Sequence, residues 1–120
     1  MNNMKTLIIG EHLADFDSNK IQVLGQWLTV SPELMRILEL LVLSNGKTVG
    51  KNDLISNECS GDNFARGNMI FRLAKLRKIL RDSARTPKYI KSIPGEGYKL
   101  IAPVKLLNGS KYDPHLASFH

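Results

Sequence analysis

The segment NMIFRLAKLRKIL, residues 68–80, combines side chains that bind anions with side chains that fill a protein core. At the 3.6-residue period of a helix, one row is apolar and predicts a core-facing side: Met69, Leu73, Leu76 and Leu80. The other side of the same helix, continued by one residue, gathers cations: Arg72, Lys75, Lys78 and Arg81. Because guanidinium and ammonium groups donate to phosphates and carboxylates, this side predicts an anionic partner.

The positive charge is concentrated around this helix. Residues 66–91 contain nine Lys and Arg against a single acid, Asp82, whereas residues 1–65 contain five Lys and Arg against eight acids. A helix that merely faces water usually mixes Glu with Lys to form i,i+4 pairs, and here no acid precedes Asp82. A basic cluster on one element is typical of nucleic-acid binding, and a solvated surface helix is the alternative.

Length and composition predict one globular domain. The chain has 120 residues, of which 42% are hydrophobic and 23% charged. Its longest uninterrupted apolar run is residues 40–43, while a membrane span needs about 20 apolar residues, and the first residues do not form a signal peptide. The single cysteine, Cys59, excludes an intrachain disulfide and fits a reducing, cytoplasmic compartment.

The first third of the chain predicts a small sheet followed by a helix. Four short apolar or alternating runs, TLIIG, DFD, KIQV and QWLTV, are separated by turn residues and predict an antiparallel meander in which Trp27 anchors the core. Ser31 followed by Pro32 predicts a helix start, and apolar residues at helical spacing extend that helix to about Leu43. The run Ser44-Asn45-Gly46 ends it, with Gly46 in the left-handed region.

The remaining elements are two helices and a hairpin. A second helix is expected over Lys51–Glu58, a loop over residues 59–67, and the basic third helix over residues 67–81. Apolar residues on either side of residues 94–97 predict a β-hairpin with a four-residue tip. We therefore predict one domain over residues 1–105 and a flexible tail over residues 106–120.

Three helices followed by a β-hairpin, with a basic third helix, form an α+β winged helix-turn-helix fold with a four-stranded N-terminal sheet. The sequences VSPEL at 30–34, KLRKIL at 75–80 and YIKSIPGEGYKL at 89–100 resemble the DNA-binding domain of the OmpR/PhoB family over about residues 5–105. Within that family, LRDSARTPKYIKSIPGEGYKLIAPV is most similar to the ToxR/CadC branch of one-component regulators.

The resemblance implies a function for each part. The third helix enters the major groove of double-stranded DNA, the hairpin wing meets the adjacent minor groove or backbone, and the loop before the third helix contacts RNA polymerase. In the ToxR/CadC branch, this cytoplasmic domain is joined to a transmembrane helix and a periplasmic sensor in a longer parent protein.

The exposed side of the third helix supplies most of the predicted contacts. Arg72 and Lys75 are expected at base edges, with Arg77 and Lys78 on the backbone. Phe71 either touches a thymine methyl group or packs on a neighbouring loop. The full predicted DNA-binding set is Arg66, Asn68, Phe71, Arg72, Lys75, Arg77, Lys78, Lys91, Ser92 and Lys99.

Other functions have less support in the sequence. His12, His115, His120 and Cys59 do not have the spacing of metal ligands, so we expect neither a metal nor a cofactor. Asp15 and Asp17 flank a predicted turn, and no arrangement typical of an enzyme is present. The alternative function is a winged-helix interaction module that binds an acidic protein or an anionic lipid surface. We expect a monomer in solution that pairs on DNA half-sites.

Overall fold

The computed structural model describes residues 6–58 and 65–114, with side chains described for residues 6–55 and 69–114. Three helices are present: α1 Pro32–Leu43, α2 Lys51–Glu58 and α3 Ala65–Leu80. Eight strands accompany them: β1 Thr6–Ile9, β2 His12–Asp15, β3 Lys20–Val23, β4 Gln26–Thr29, β5 Val49–Gly50, β6 Ile90–Ile93, β7 Gly97–Leu100 and β8 Val104–Lys105. This order confirms the predicted α+β winged helix-turn-helix.

The N-terminal sheet is antiparallel and has the strand order β4-β3-β2-β1-β8. Three of the predicted strands lie where they were expected, whereas the second covers His12–Asp15 and shares only Asp15 with the predicted run DFD. A fifth strand, β8, adds to the free edge of β1 and pairs Val104 with Ile9. Alternating residues of β1 to β3 point into the core: Leu7, Ile9, Ala14, Ile21 and Val23.

The expectation that Trp27 anchors the core is wrong. Trp27 is 44% exposed and pairs with Gln22, which places it on the sheet face opposite to that of Ile21. Side chains alternate between the two faces of a strand, and β4 lies at the edge of the sheet with a neighbour on one side only. A large aromatic residue beside an apolar strand residue is therefore not sufficient to identify the buried face.

Helix α1 is the predicted first helix and forms the centre of the fold. Ser31 Oγ accepts a hydrogen bond from the amide of Leu34 at 3.4 Å, and Pro32 occupies the first turn. Its buried residues pack towards α2, α3 and β7: Leu34, Met35, Ile37, Leu38, Leu41 and Val42. After Ser44, both Asn45 and Gly46 take positive φ, so the chain turns as predicted.

Helix α3 begins two residues before the predicted start and buries the predicted apolar row: Met69, Leu73, Leu76 and Leu80. It ends where Arg81 takes a φ of 59°. The amide of Asp82 donates to Arg77 O at 2.8 Å and that of Arg81 to Lys78 O at 3.2 Å, which is the Schellman pattern. A non-glycine residue in this conformation fixes the direction in which the chain leaves the basic helix.

The wing belongs to a second sheet with the order β5-β7-β6. Residues 94–96 form the tip, since Gly97 already pairs with Ile93 and with Gly50. A Cβ atom at Gly97 would collide with the carbonyl oxygen of Val49, so only glycine allows β5 to approach β7 at this point. The short strand β5 thereby ties the wing to the start of α2.

The first part of the predicted tail is packed on the domain. Lys111 forms a β-bridge with Lys105, and the amide of the buried Tyr112 donates to Val104 O at 3.0 Å. The aromatic ring supplies the apolar area that holds this return segment, which the sequence pattern did not reveal because it has no period. Residues 115–120 lie outside the described part of the chain. Among the described helices, none has the length and apolar character needed to cross a bilayer.

Candidate nucleic-acid interface

The exposed face of α3 opposite the buried row carries Phe71, Ala74, Lys75 and Lys78, and Ile70, which is 67% exposed, lies at the edge of this face. Phe71 is 71% exposed, and the two lysines follow it about one and two turns along the helix. The helix contains no acidic residue from Ala65 to Leu80. This face therefore presents two ammonium groups and an apolar ring to solvent on a rigid, well-packed helix.

Arg72 lies at the edge of this face and is engaged by α1. Its Nη2 atom is 3.0 Å from Oε2 of Glu33, and its side chain is only 18% exposed. Glu33 sits in the first turn of α1, where a carboxylate is favoured by the helix dipole, and more than half of its side chain is exposed. The predicted base-reading arginine thus forms an ion pair within the domain.

Arg77 lies at the opposite edge and is engaged by the wing. Its Nη2 and Nε atoms donate to Ile90 O at 3.0 and 3.4 Å, and Nε is 3.9 Å from Oδ2 of Asp82. The side chain is 13% exposed. The guanidinium fork therefore joins α3 to the first strand of the wing, and little of it faces solvent.

Asp82 holds the start of β6 against the end of α3. Its fully buried carboxylate accepts hydrogen bonds from the amides of Lys88 at 2.7 Å, Tyr89 at 3.2 Å and Ile90 at 2.9 Å. Sequence reasoning did not identify this role. The available signal was the isolation of Asp82, the single acid in residues 66–91, immediately after the helix end.

His12 connects the N-terminal sheet to the same helix end. Its Nε2 lies 2.6 Å from Leu80 O, so this nitrogen carries the proton, and its ring stacks on Tyr89 with the ring centroids 5.0 Å apart. The Tyr89 hydroxyl accepts from the amide of Glu11 at 3.1 Å. His12 is buried, and its position shows a structural role that its isolation in the sequence did not indicate.

The wing residues fall on two faces of the hairpin. Lys91 pairs directly with Lys99, so both ammonium groups lie on one face, while Ser92 pairs with Tyr98 on the other. Like charges placed directly opposite each other destabilise a strand pair. An anion bound between Lys91 and Lys99 would relieve that repulsion, and a phosphate has the required charge.

Some predicted residues cannot be placed. Arg66 and Asn68 belong to α3 by their backbone, but their side chains lie outside the described residues. Cys59, residues 59–64 of the predicted loop and the two C-terminal histidines lie outside them as well. Within residues 6–58 and 65–114, no group of three His, Cys, Asp or Glu side chains is arranged to hold a metal ion.

Residues 25–100 match the family model described as "Transcriptional regulatory protein, C terminal". The chain belongs to this family. The match extends from the turn before β4 to the end of the wing, and it therefore includes all three helices. The family is one of transcriptional regulators and not of enzymes.

Two curated relatives have related sequences. The transcriptional activator CadC of Escherichia coli (strain K12) is 31% identical over 97 residues, which are 80% of this chain and 19% of CadC. The cholera toxin transcriptional activator of Vibrio cholerae is 35% identical over 72 residues, which are 58% of this chain and 24% of that protein. The predicted resemblance to the OmpR/PhoB type and its ToxR/CadC branch is confirmed. This chain spans about a fifth to a quarter of these relatives.

Solved structures share the fold. The DNA-binding domain of E. coli CadC superposes with a TM-score of 0.73 at 28% identity, covering 86% of this chain and 97% of that domain. The DNA-binding domain of Klebsiella pneumoniae RstA, solved in complex with the RstA box, gives a TM-score of 0.65 at 23% identity and covers 81% of this chain and 97% of that one. The second likeness concerns the fold alone.

Proposed function

We propose that this chain is a sequence-specific, double-stranded DNA-binding domain of a bacterial transcription regulator, with α3 in the major groove. The observation that carries the proposal is the exposed face of α3, where Lys75 and Lys78 project from a helix without acids. A helix of this size fits the major groove of B-DNA, and ammonium groups donate to phosphates and to guanine O6 and N7.

The proposed role of each basic residue of α3 depends on whether its side chain is exposed or bound within the domain. Lys75 is proposed at a base edge and Lys78 on the backbone, since both are exposed. Arg72 and Arg77 stay in the proposed interface at its two edges, where they position α3 against α1 and the wing as well as adding positive potential. Arg66 and Asn68, near the start of α3, complete the proposed contacts of this helix.

The wing is proposed to bind the DNA backbone beside the groove. Lys91 and Lys99 form a cross-strand pair of like charges, and Ser92 adds a hydroxyl on the other face of the strand. Glu96 lies at the tip and is exposed. Because a carboxylate repels phosphates within a Debye length of about 8 Å, the strands of the wing rather than its tip are the proposed contact.

A salt-titrated binding assay tests the proposal. Duplexes enriched from a random library are compared with unselected duplexes of equal length by fluorescence anisotropy, at several salt concentrations. We expect the enriched duplexes to bind at least about 10³-fold more tightly, which is the lower end of specificity ratios for regulators. Equal affinity for both pools would instead support the interaction-module alternative.

The alternative is tested in the same assay. Vesicles that contain anionic lipid and an acidic polypeptide such as polyglutamate compete with the enriched duplex for the protein. If either displaces the duplex at an equal charge concentration, the basic face is a general anion-binding surface and the proposal of sequence-specific binding fails.

The setting of the domain is part of the proposal. Because this chain matches only 19% and 24% of the two curated relatives, we propose that this domain serves a longer regulator with a membrane-anchored sensor, working on the cytoplasmic side of the membrane. The loop before α3 is the proposed contact for RNA polymerase. The isolated domain is proposed to be a monomer that pairs on half-sites about 10 bp apart, which sedimentation with and without DNA tests.

A further inference from the structure

In the described part of α3, the arginines bind other parts of the domain and the lysines face solvent. Both of its described arginines are held inside the domain, Arg72 by Glu33 and Arg77 by Ile90 O. The side chains that remain on the exposed face are Lys75, Lys78, Ala74 and Phe71, with Ile70 exposed at its edge. An arginine is the best reader of guanine because its fork donates to O6 and N7 together, and neither of these arginines presents a free fork.

Phe71 occupies the centre of the exposed face. At 100° per residue it points almost directly away from the buried row, with Ala74 and Lys75 on the next turn and Lys78 two turns below. Its 71% exposure shows that the ring is not packed within the described part of the chain. Ile70 is also exposed, at 67%, but it lies at the edge of this face, whereas Phe71 points from the middle of the face proposed to enter the groove.

The major groove offers one apolar group, the C5-methyl of thymine. A phenyl ring that enters the groove would bury apolar area against this methyl group, which is favourable. Against a G·C pair, the same ring would displace water from polar base edges without replacing their hydrogen bonds, which is unfavourable. Ala74 leaves room beside the ring because its side chain is a single methyl group. Lys78 can hold the helix in the groove through a phosphate contact, which carries no base preference.

We propose that α3 reads thymine, with Phe71 placed against the C5-methyl group of an A·T pair at the centre of the contacted sequence. The inference rests on the DNA binding proposed above and adds Phe71 to the residues that read bases, where the sequence alone favoured Arg72 and Lys75. Of the two roles considered for Phe71, contact with a thymine methyl group and packing on a neighbouring loop, the inference takes the first.

The test begins with a selection from a random 20-bp duplex library, using the 120-residue chain. Each thymine of the enriched duplex is then replaced in turn by deoxyuridine, which removes the methyl group and leaves every hydrogen-bonding atom in place. We expect one or two positions at which this replacement weakens binding about fourfold, the effect of one buried methyl or methylene group. At the same positions, 5-methylcytosine should bind better than cytosine.

The variant Phe71→Ala links the effect to this side chain. It should weaken binding to the enriched duplex about tenfold, and it should bind the thymine and deoxyuridine forms of the sensitive position equally well. Phe71→Leu is the matched control. Because an aliphatic side chain retains contact with the methyl group, this variant should still bind the thymine duplex more tightly than the deoxyuridine duplex. All three proteins should show the same thermal unfolding midpoint, since the ring is exposed.

Three results would overturn the inference. If duplexes are enriched but deoxyuridine is tolerated at every position, DNA binding stands and thymine reading fails. If Phe71→Ala retains the difference between thymine and deoxyuridine, another residue reads the methyl group. If no duplex is enriched at all, the proposed function fails and the inference fails with it.

Discussion

The two arginines at the edges of α3 and the two lysines on its exposed face carry the same charge and serve different purposes. Arg72 and Arg77 are mostly buried and bind protein acceptors, whereas Lys75 and Lys78 are exposed. The planar guanidinium suits a fixed acceptor such as a carbonyl or carboxylate, and the flexible ammonium suits solvent and phosphate. The count of positive charges in α3 therefore overstates the number that project from it.

Two regions of the domain differ in the same way, one bonded within the domain and the other exposed to solvent. The end of α3, with Arg77 and Asp82, is bonded to the wing, and His12 joins that end to the N-terminal sheet. The middle of α3 projects from the domain with an exposed ring that is followed by two exposed lysines. One region fixes the angle between helix and wing, and the other is available for a partner. Substitutions at the bonded end of α3 should therefore change folding, and substitutions on its projecting middle should change binding.

The largest expected effect is on folding, from Asp82→Ala. The substitution leaves three amides of the chain before β6 without their acceptor and removes the carboxylate near Arg77. We expect the free energy of unfolding to fall by about 3 to 5 kcal/mol, because buried groups would lose charged hydrogen bonds. Urea denaturation followed by circular dichroism measures this change. Asp17→Ala, at an exposed turn, is the matched control and should change stability by less than about 0.5 kcal/mol.

The next effect is on binding, from Lys75→Ala. An exposed lysine at a base edge should contribute about 1 to 3 kcal/mol to the enriched duplex and little to random duplex, while folding is unchanged. The comparison variant is Arg72→Ala, which removes an ion pair as well as a charge. If Arg72→Ala causes the larger and more sequence-dependent loss, the division between arginines and lysines is wrong. Equal weakening of both duplexes by Lys75→Ala would make Lys75 a phosphate contact.

The sequence predicted what periodicity and turn residues control. The apolar row of α3, the cap at Ser31 and the hairpin are local patterns, and each was predicted close to its observed position. What sequence reasoning missed depends on contacts between distant residues: His12 meets Leu80, Tyr112 returns to the core, and Trp27 faces outwards on an edge strand. A helical projection places Arg72 and Arg77 near the exposed side, and it does not show that Glu33 and Ile90 lie within their reach.

A smaller effect distinguishes neighbours in sequence, Arg77 and Lys78. Arg77→Lys loses the forked contact with Ile90 O and should lower the free energy of unfolding by about 1 to 2 kcal/mol. Its net charge is retained, so the salt dependence of DNA binding should stay the same. Lys78→Gln should do the reverse, with unchanged stability and a salt slope that is smaller by about 0.9, the value for one phosphate contact. Plots of log affinity against log salt, together with urea denaturation, give both quantities. A reduced slope for Arg77→Lys would show that its guanidinium reaches the backbone.

The smallest expected effect comes from Glu33→Gln, which removes the carboxylate beside Arg72. Because Glu33 is more than half exposed, the ion pair is screened by water and its loss should cost at most about 0.5 kcal/mol of stability. Binding to DNA should tighten about threefold at low salt, since one negative charge leaves the side of α3 that faces phosphates, and the gain should vanish near 1 M salt, where the Debye length is about 3 Å.

The double variant Glu33→Gln with Arg72→Ala decides how that gain arises. If Glu33→Gln still raises the affinity for DNA when Arg72 is absent, the gain in affinity is a general effect of charge. Arg72 then remains a residue that positions α3 against α1. If the gain disappears and the single variant also shows a new preference for guanine in a repeated selection, then Glu33 restrains a base-reading arginine. In that case the distinction between the edges of α3 and its exposed face would depend on one carboxylate of α1.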